Sequence, residues 1–182
     1  MQTATANLEN DHVQILRLID VMEQLTKKPS ADTLDLNLIV SLIRNFADGL
    51  HHNKEEKLLF PKMVEKGFSF EQGPVAVMMQ DHVIGRSYVK GIADNIAAYE
   101  NGNQEALATI YTNINGYADL LRAHIAKENN ILFRMADKAF TEAEQEELLQ
   151  KFATLENEPI CNSKPADCVV QIEQLAAKYL IS

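Results

Sequence analysis

The chain has little that punctuates or cross-links. Its 182 residues contain no tryptophan, two cysteines, five prolines and seven glycines. Two thiols, Cys161 and Cys168, make neither a zinc site nor a disulfide framework and are read as ordinary reduced thiols. Basic residues are also in deficit, 17 against 26 acidic ones, for a net charge of −9. That balance argues against nucleic acid as a partner, because such binding rests mainly on Lys and Arg contacts to phosphate. No apolar run approaches the roughly 20 residues needed to span a bilayer. The N-terminal MQTATANLEND lacks the basic and apolar regions of a secretory signal. A cytoplasmic protein with no membrane partner is therefore expected. What is present, 46% hydrophobic and 24% charged residues, describes a globular chain able to bury one core, a single domain over 1–182.

No region shows sustained strand alternation, and the breaks leave six helical stretches: about 7–27, 33–65, 74–100, 104–138, 142–157 and 166–180. Pro74 suits a first helical turn, and Pro61 should kink or end the second helix. Thr141 with Glu144 reads as a capping box. The first four helices are long and joined by short links, the pattern of an all-α, up-down-up-down four-helix bundle over 7–138. The region 139–182 adds two C-terminal helices.

Steps of three and four along each long helix trace its buried seam. The first reads Leu8, His12, Ile15, Ile19, Met22; the second Leu36, Val40, Ile43, Ala47, His51, Glu55, Leu58. The third reads Val75, Met78, His82, Gly85, Val89, Ile92, Ile96, Tyr99; the fourth Leu107, Ile110, Ile114, Tyr117, Leu121, His124, Glu128, Ile131, Met135. Each seam is apolar except at one level. Counting from the hairpin turns at about 1.5 Å per residue places these levels within a helical turn of one another. Four histidines and two glutamates thus converge on one layer. The fifth histidine, His52, lies one position round, in line with Asp48 and Glu56, and is expected to face out.

A lone histidine on an apolar face is usually a hydrogen-bonded core residue, and a lone buried glutamate usually has an ion-pair partner. Six such groups at one level, with no seam Lys or Arg, would cost several kcal/mol per charged group. Metal cations relieve all six together. His-x-x-x-Glu on helices two and four puts imidazole and carboxylate on one face a turn apart. Two glutamates amid four imidazoles suit a pair of divalent ions, and mixed nitrogen and oxygen ligation fits Fe, Mn or Zn alike. The ferritin-like alternative needs Glu-x-x-His on two helices, and Glu9-x-x-His12 is the lone instance. An internal repeat supports the assignment: Asp11-His12-Val13 recurs as Asp81-His82-Val83. His51-x-x-x-Glu55 before Leu59-Phe60 matches His124-x-x-x-Glu128 before Leu132-Phe133. His52 with Glu56 has ligand spacing too, but only His51 with Glu55 fits both seam and repeat.

The motifs HHNKEEKLLFP (51–61), QDHVIGR (80–86) and HIAKENNILF (124–133) resemble the hemerythrin-like HHE cation-binding family over roughly residues 7–138. The resemblance implies a non-haem di-iron centre bridged by Glu55 and Glu128, with His12, His51, His82 and His124 as terminal ligands. Oxygen-carrying hemerythrins place a second histidine four residues after the one on helix three, and Arg86 stands there instead. Four imidazoles rather than five make reversible oxygen carriage a poorer fit. They bring the chain closer to four-histidine, two-glutamate proteins associated with iron-centre repair after nitrosative or oxidative stress. Those proteins carry a short N-terminal cysteine-bearing domain that this sequence does not show. Arg86 is a candidate to orient a bridging glutamate or an anion beside the metals, or a flanking residue paired with a carboxylate.

The expected function is binding of, or reaction with, a small gaseous ligand or peroxide (O2, NO or H2O2), with an unidentified electron donor. The competing readings are a metal-dependent oxygen or redox sensor, an oxygen or iron storage module without catalysis, and a structural helical protein with an incidental polar layer.

Overall fold

The structure is a computed structural model that describes residues 3–157 and 164–180. Every regular element among them is helical. Helix α1 (Ala4–Leu25) starts where the Thr3 hydroxyl accepts the Ala6 N–H, satisfying one of the donors that a helix start leaves free. The second rod begins as α2 (Thr33–Leu42), capped by Asp32. It then passes through wider π turns over Ile43–His52 and Glu55–Leu59, and ends as α3 (Phe60–Glu65). Helix α4 (Gly73–Glu100) carries Pro74 in its first turn. The fourth rod joins α5 (Gln104–Lys127), a π turn over Glu128–Leu132, and α6 (Phe133–Ala139). These four antiparallel rods are the predicted bundle.

The C-terminal pair, α7 (Glu142–Asn157) and α8 (Pro165–Tyr179), lies against the outside of α1. The predicted capping box holds α7: Thr141 donates its N–H to Glu144, and Glu144 donates its own N–H to the Thr141 hydroxyl. Cys168 is buried on α8. Cys161 lies outside the described residues.

Two apolar clusters fill the bundle, one at each end. The larger runs through Ile15, Ile19 and Met22 of α1, Ile39 and Ile43, Val89 and Ile92 of α4, and Ile110 and Ile114 of α5, with Ile172 of α8. The smaller joins Leu8, Leu59, Phe60, Met78, Leu132 and Phe133 to Leu148 and Phe152 of α7. Burying such side chains contributes about 1.5–3 kcal/mol each. In chain order, each rod passes from one cluster to the other through its histidine level. The polar layer is thus sandwiched between them. Close approach of α4 and α5 requires Gly116, since a Cβ there would sit 2.6 Å from the Tyr88 ring.

The seam departs from expectation at two places, for one reason. Leu58 is half-buried while Leu59 takes the core position. Ile131 and Met135 are exposed while Leu132 and Ala136 are buried. In both rods a π turn intervenes: Phe60 N–H bonds to the Glu55 carbonyl and Phe133 N–H to that of Glu128, five residues back instead of four. One extra residue per turn moves every later side chain round by one position. Pro61, expected to kink or end the rod, does not end it. It sits at the start of the α-helical turn that resumes after the distortion.

Candidate metal centre

The six residues singled out in sequence meet in the core, each almost fully buried. Nε2 of His12 lies 3.0 Å from Nε2 of His51, and Nε2 of His82 lies 3.2 Å from that of His124. Each hairpin therefore brings two imidazoles to one point. The glutamates run between the points. Glu55 places one oxygen 3.6 Å from His51 and the other 3.5 Å from His82. One Glu128 oxygen lies 3.2 Å from both His12 and His124.

Every one of these histidines gives its outer nitrogen to an acceptor. Nδ1 of His12 donates to the Asn129 side-chain oxygen (2.7 Å) and that of His82 to Glu56 (2.7 Å). Nδ1 of His51 faces Asp11 at 3.4 Å and that of His124 faces Asp81 at 3.3 Å. An ionised carboxylate can only accept, so the proton sits on Nδ1 and the inner nitrogen presents a lone pair. The same two aspartates take lysines: Lys54 reaches Asp11 at 2.8 Å, Lys127 reaches Asp81 at 2.5 Å. The repeat accordingly extends beyond the ligand candidates. The Asp before one histidine and the residue after the glutamate orient imidazoles, the Lys before the glutamate holds that Asp, and all stand at matching positions in both halves. That matching is visible in DHV and in H-x-x-K-E, but neither motif by itself shows which imidazole these flanking residues meet.

His52 contradicts its prediction. It was expected on the outside; it is 5% exposed and faces the core. The π turn over Ile43–His52 explains this, because its wider spiral turns two consecutive residues inward where an α-helix turns one. Its Nδ1 faces Asp48 at 3.1 Å, its ring stacks on His82 with centroids 3.8 Å apart, and its buried Nε2 has no hydrogen-bond partner among the described residues. The count of four imidazoles is thereby corrected to five lining the layer.

Arg86 pairs with neither Glu55 nor Glu128. Its guanidinium spans Asp48 (2.6 Å) and Glu56 (2.7 Å), tying together the two carboxylates behind His52 and His82. It also lines a cavity of about 320 Å³ with Arg44, Lys90, Val89 and Tyr117, whose inner wall includes His52. Tyr117 is a buried core aromatic packed over Gly85.

Electrostatically the layer is frustrated as protein alone. Burial, reinforced by the Glu128 charge, pushes the Glu55 carboxyl well above the usual range. Burial works on Glu128 too, but a proton shared with the His124 and His12 imidazoles outweighs it and holds that carboxyl low, the part that a cation would take over. Burial, with His12 beside it, lowers His51 to about 4; burial and His82 lower His52 to about 3, so both are neutral near pH 7. Among the described residues, none of the four oxygens of Glu55 and Glu128 has a hydrogen-bond donor. Acceptors face acceptors, an arrangement that costs several kcal/mol unless a cation enters. Two overlapping sets could receive one: His12, His51, Glu55 and Glu128, and His52, Glu55, His82 and His124, the ligand atoms of each lying within 4.8 Å of one another. Mixed nitrogen and carboxylate donors suit iron, manganese or zinc.

Comparison with known proteins agrees with this chemistry. Residues 3–136 match the model of the hemerythrin HHE cation binding domain. The iron-sulfur cluster repair proteins YtfE of Yersinia pestis (strain Pestoides F) and Yersinia pseudotuberculosis (serotype O:1b, strain IP 31758) are each 37% identical to the chain over 90 residues. That stretch is 47% of this chain and 40% of the relatives, so the similarity spans about two fifths of their length. No solved structure is significantly similar. With a histidine and glutamate layer at the core of a helical bundle, and a family model covering most of its length, the chain belongs to the hemerythrin HHE cation-binding domain family.

Proposed function

We propose that this chain is a non-haem di-iron protein that binds or reacts with O2, NO or H2O2, in the cytoplasmic defence or repair of iron centres under oxidative or nitrosative stress. The observation that carries the reading is the all-acceptor core: buried carboxylates with no donor, and imidazoles with their lone pairs turned inward. Similarity to iron-sulfur cluster repair proteins supports the setting.

On this reading His12 and His51 would hold one ion and His82 and His124 the other, with Glu55 and Glu128 available to both. Residues 7–138 form the metal-holding unit, and α7 and α8 cover its α1 side. A bound iron pair supplies coordination positions for a small ligand and the Fe(II)/Fe(III) couple. The protein's own part is orientation and exclusion. Asp11, Asp81, Glu56 and Asn129 lock the ring tautomers so that each Nε2 is available without a proton to lose. The apolar clusters above and below keep bulk water from the layer.

Anaerobic purification followed by metal analysis tests the assignment. Two iron ions per chain are expected, with spectral changes on exposure to oxygen or nitric oxide. Less than one transition-metal ion per chain overturns the reading, and two zinc ions without a response to either gas overturns the redox chemistry.

A further inference from the structure

The two halves of the site are related by the repeat, and one feature breaks that relation. Pairing His51 with His124 and Glu55 with Glu128 sets Asp48 opposite Leu121 and His52 opposite Ile125; pairing His12 with His82 sets Arg86 opposite Leu16. A linked polar trio, two members on the second rod and one on α4, thus stands where the repeat-related positions are apolar. Ile125 and Leu121 are buried among hydrophobic neighbours, as expected of structural positions. His52 is treated differently. Like the other four histidines it has an acceptor at Nδ1, here Asp48. Asp48 is itself held by Arg86, which also holds the carboxylate behind His82. Its Nε2 is buried, has no donor to meet, and lies within 4.8 Å of ligand atoms on Glu55, His82 and His124.

A histidine that merely filled space at this position could present carbon to the core, or donate Nε2–H to a neighbour. Instead, a buried lone pair without a partner is retained, costing about 1–3 kcal/mol if nothing binds it. We infer that His52 is a fifth imidazole ligand, so that the ion held by His82 and His124 carries three histidines and the ion held by His12 and His51 carries two. The Asp48–Arg86–Glu56 chain then orients two neighbouring ligands of the same ion. The inference rests on the two-metal reading above. It adds that the ions are inequivalent, the one held by His12 and His51 having the fewer protein ligands and so more room for an incoming molecule.

Cobalt(II) substitution provides the test, because each ligating imidazole with a protonated Nδ1 gives one strongly shifted, exchangeable N–H signal in the proton NMR spectrum. Five such signals are expected from the unaltered protein, one for each histidine of the sequence. His52→Leu, which copies the apolar character of the other half, should keep two cobalt ions and lose one signal. Four signals in the unaltered protein, with none lost in the variant, overturn the proposal while leaving the two-metal centre intact. Failure to take up cobalt at all counts against the two-metal reading itself. Should His52→Leu fail to fold, the count in the unaltered protein still decides.

Discussion

Lys54 keeps none of its surface exposed. Its ammonium meets Asn7 at 2.9 Å, Asp11 at 2.8 Å and Glu156 at 2.7 Å, using all three donors. Lys127 holds the equivalent place in the repeat, but its side chain is 38% exposed. Burial should therefore separate two residues that sequence makes alike. Lys54→Met strands two carboxylates and is expected to lower unfolding free energy by about 3 kcal/mol; Lys127→Met should cost under about 1 kcal/mol. Urea denaturation of the two variants checks this, and equal costs would show that burial is not the deciding difference. The same contrast shows how far a sequence reading reaches at this scale. His12, His51, Glu55, His82, His124 and Glu128 were legible because they fall on apolar seams and repeat. His52 was not, because a 3.6-residue period places it one step outside, and nothing in composition announces a wider turn.

At the scale of elements, helix boundaries were legible from caps and breakers, and the anchoring of α7 shows why. Glu144 at its start meets the Lys66 ammonium at 2.7 Å and the Thr141 N–H at 2.9 Å. Lys66, then Thr141, lower its carboxyl from 4.5 to about 2. A carboxyl depressed in the folded state favours folding above its unfolded pKa, and that contribution disappears as pH falls through the folded one. Glu144→Gln should thus be destabilising by a constant amount above about pH 5. The gap in melting temperature between it and the unaltered protein should narrow steadily as pH is lowered toward 3. A gap independent of pH would show that the box acts through its hydrogen bonds alone. The π turns were illegible in sequence. Their cause is tertiary: Leu59 and Phe60, like Leu132 and Phe133, reach the smaller apolar cluster only with one additional residue after the glutamate.

For the molecule as a whole, each helical hairpin supplies two histidines to its own side of the layer and a glutamate that faces both sides. A metal pair would consequently fasten one hairpin to the other through Glu55 and Glu128. Metal bound with free ion at about a thousand times its dissociation constant adds about 4 kcal/mol to stability. Chelation should therefore lower the melting temperature by about 10 °C. Differential scanning calorimetry before and after chelation measures it; an unchanged transition would mean that the hairpins need no such fastening. Bundle topology was readable from period and loop length. The seat of α8 was not, because a helix's apolar face indicates that it is covered and not by what. Only the packed chain shows Ile172 and Leu175 completing the larger cluster.

The π turns after Glu55 and Glu128 have a consequence for how the chain tolerates changes of length. Each is a surplus residue accommodated inside a helix, and the surplus equals the one-place offset between the seam expected from a regular helix and the seam observed. Removing the exposed Lys57 or Asn130 would let the helix close to ordinary pitch. Leu59 or Leu132 would then fall on the regular seam with its core contacts kept. A single deletion within the regular helix α4 has no such reserve, and would rotate everything beyond it by about 100°. The two rods that carry the glutamates are thus the places in this bundle where the reading frame of the fold, as distinct from its composition, has slack.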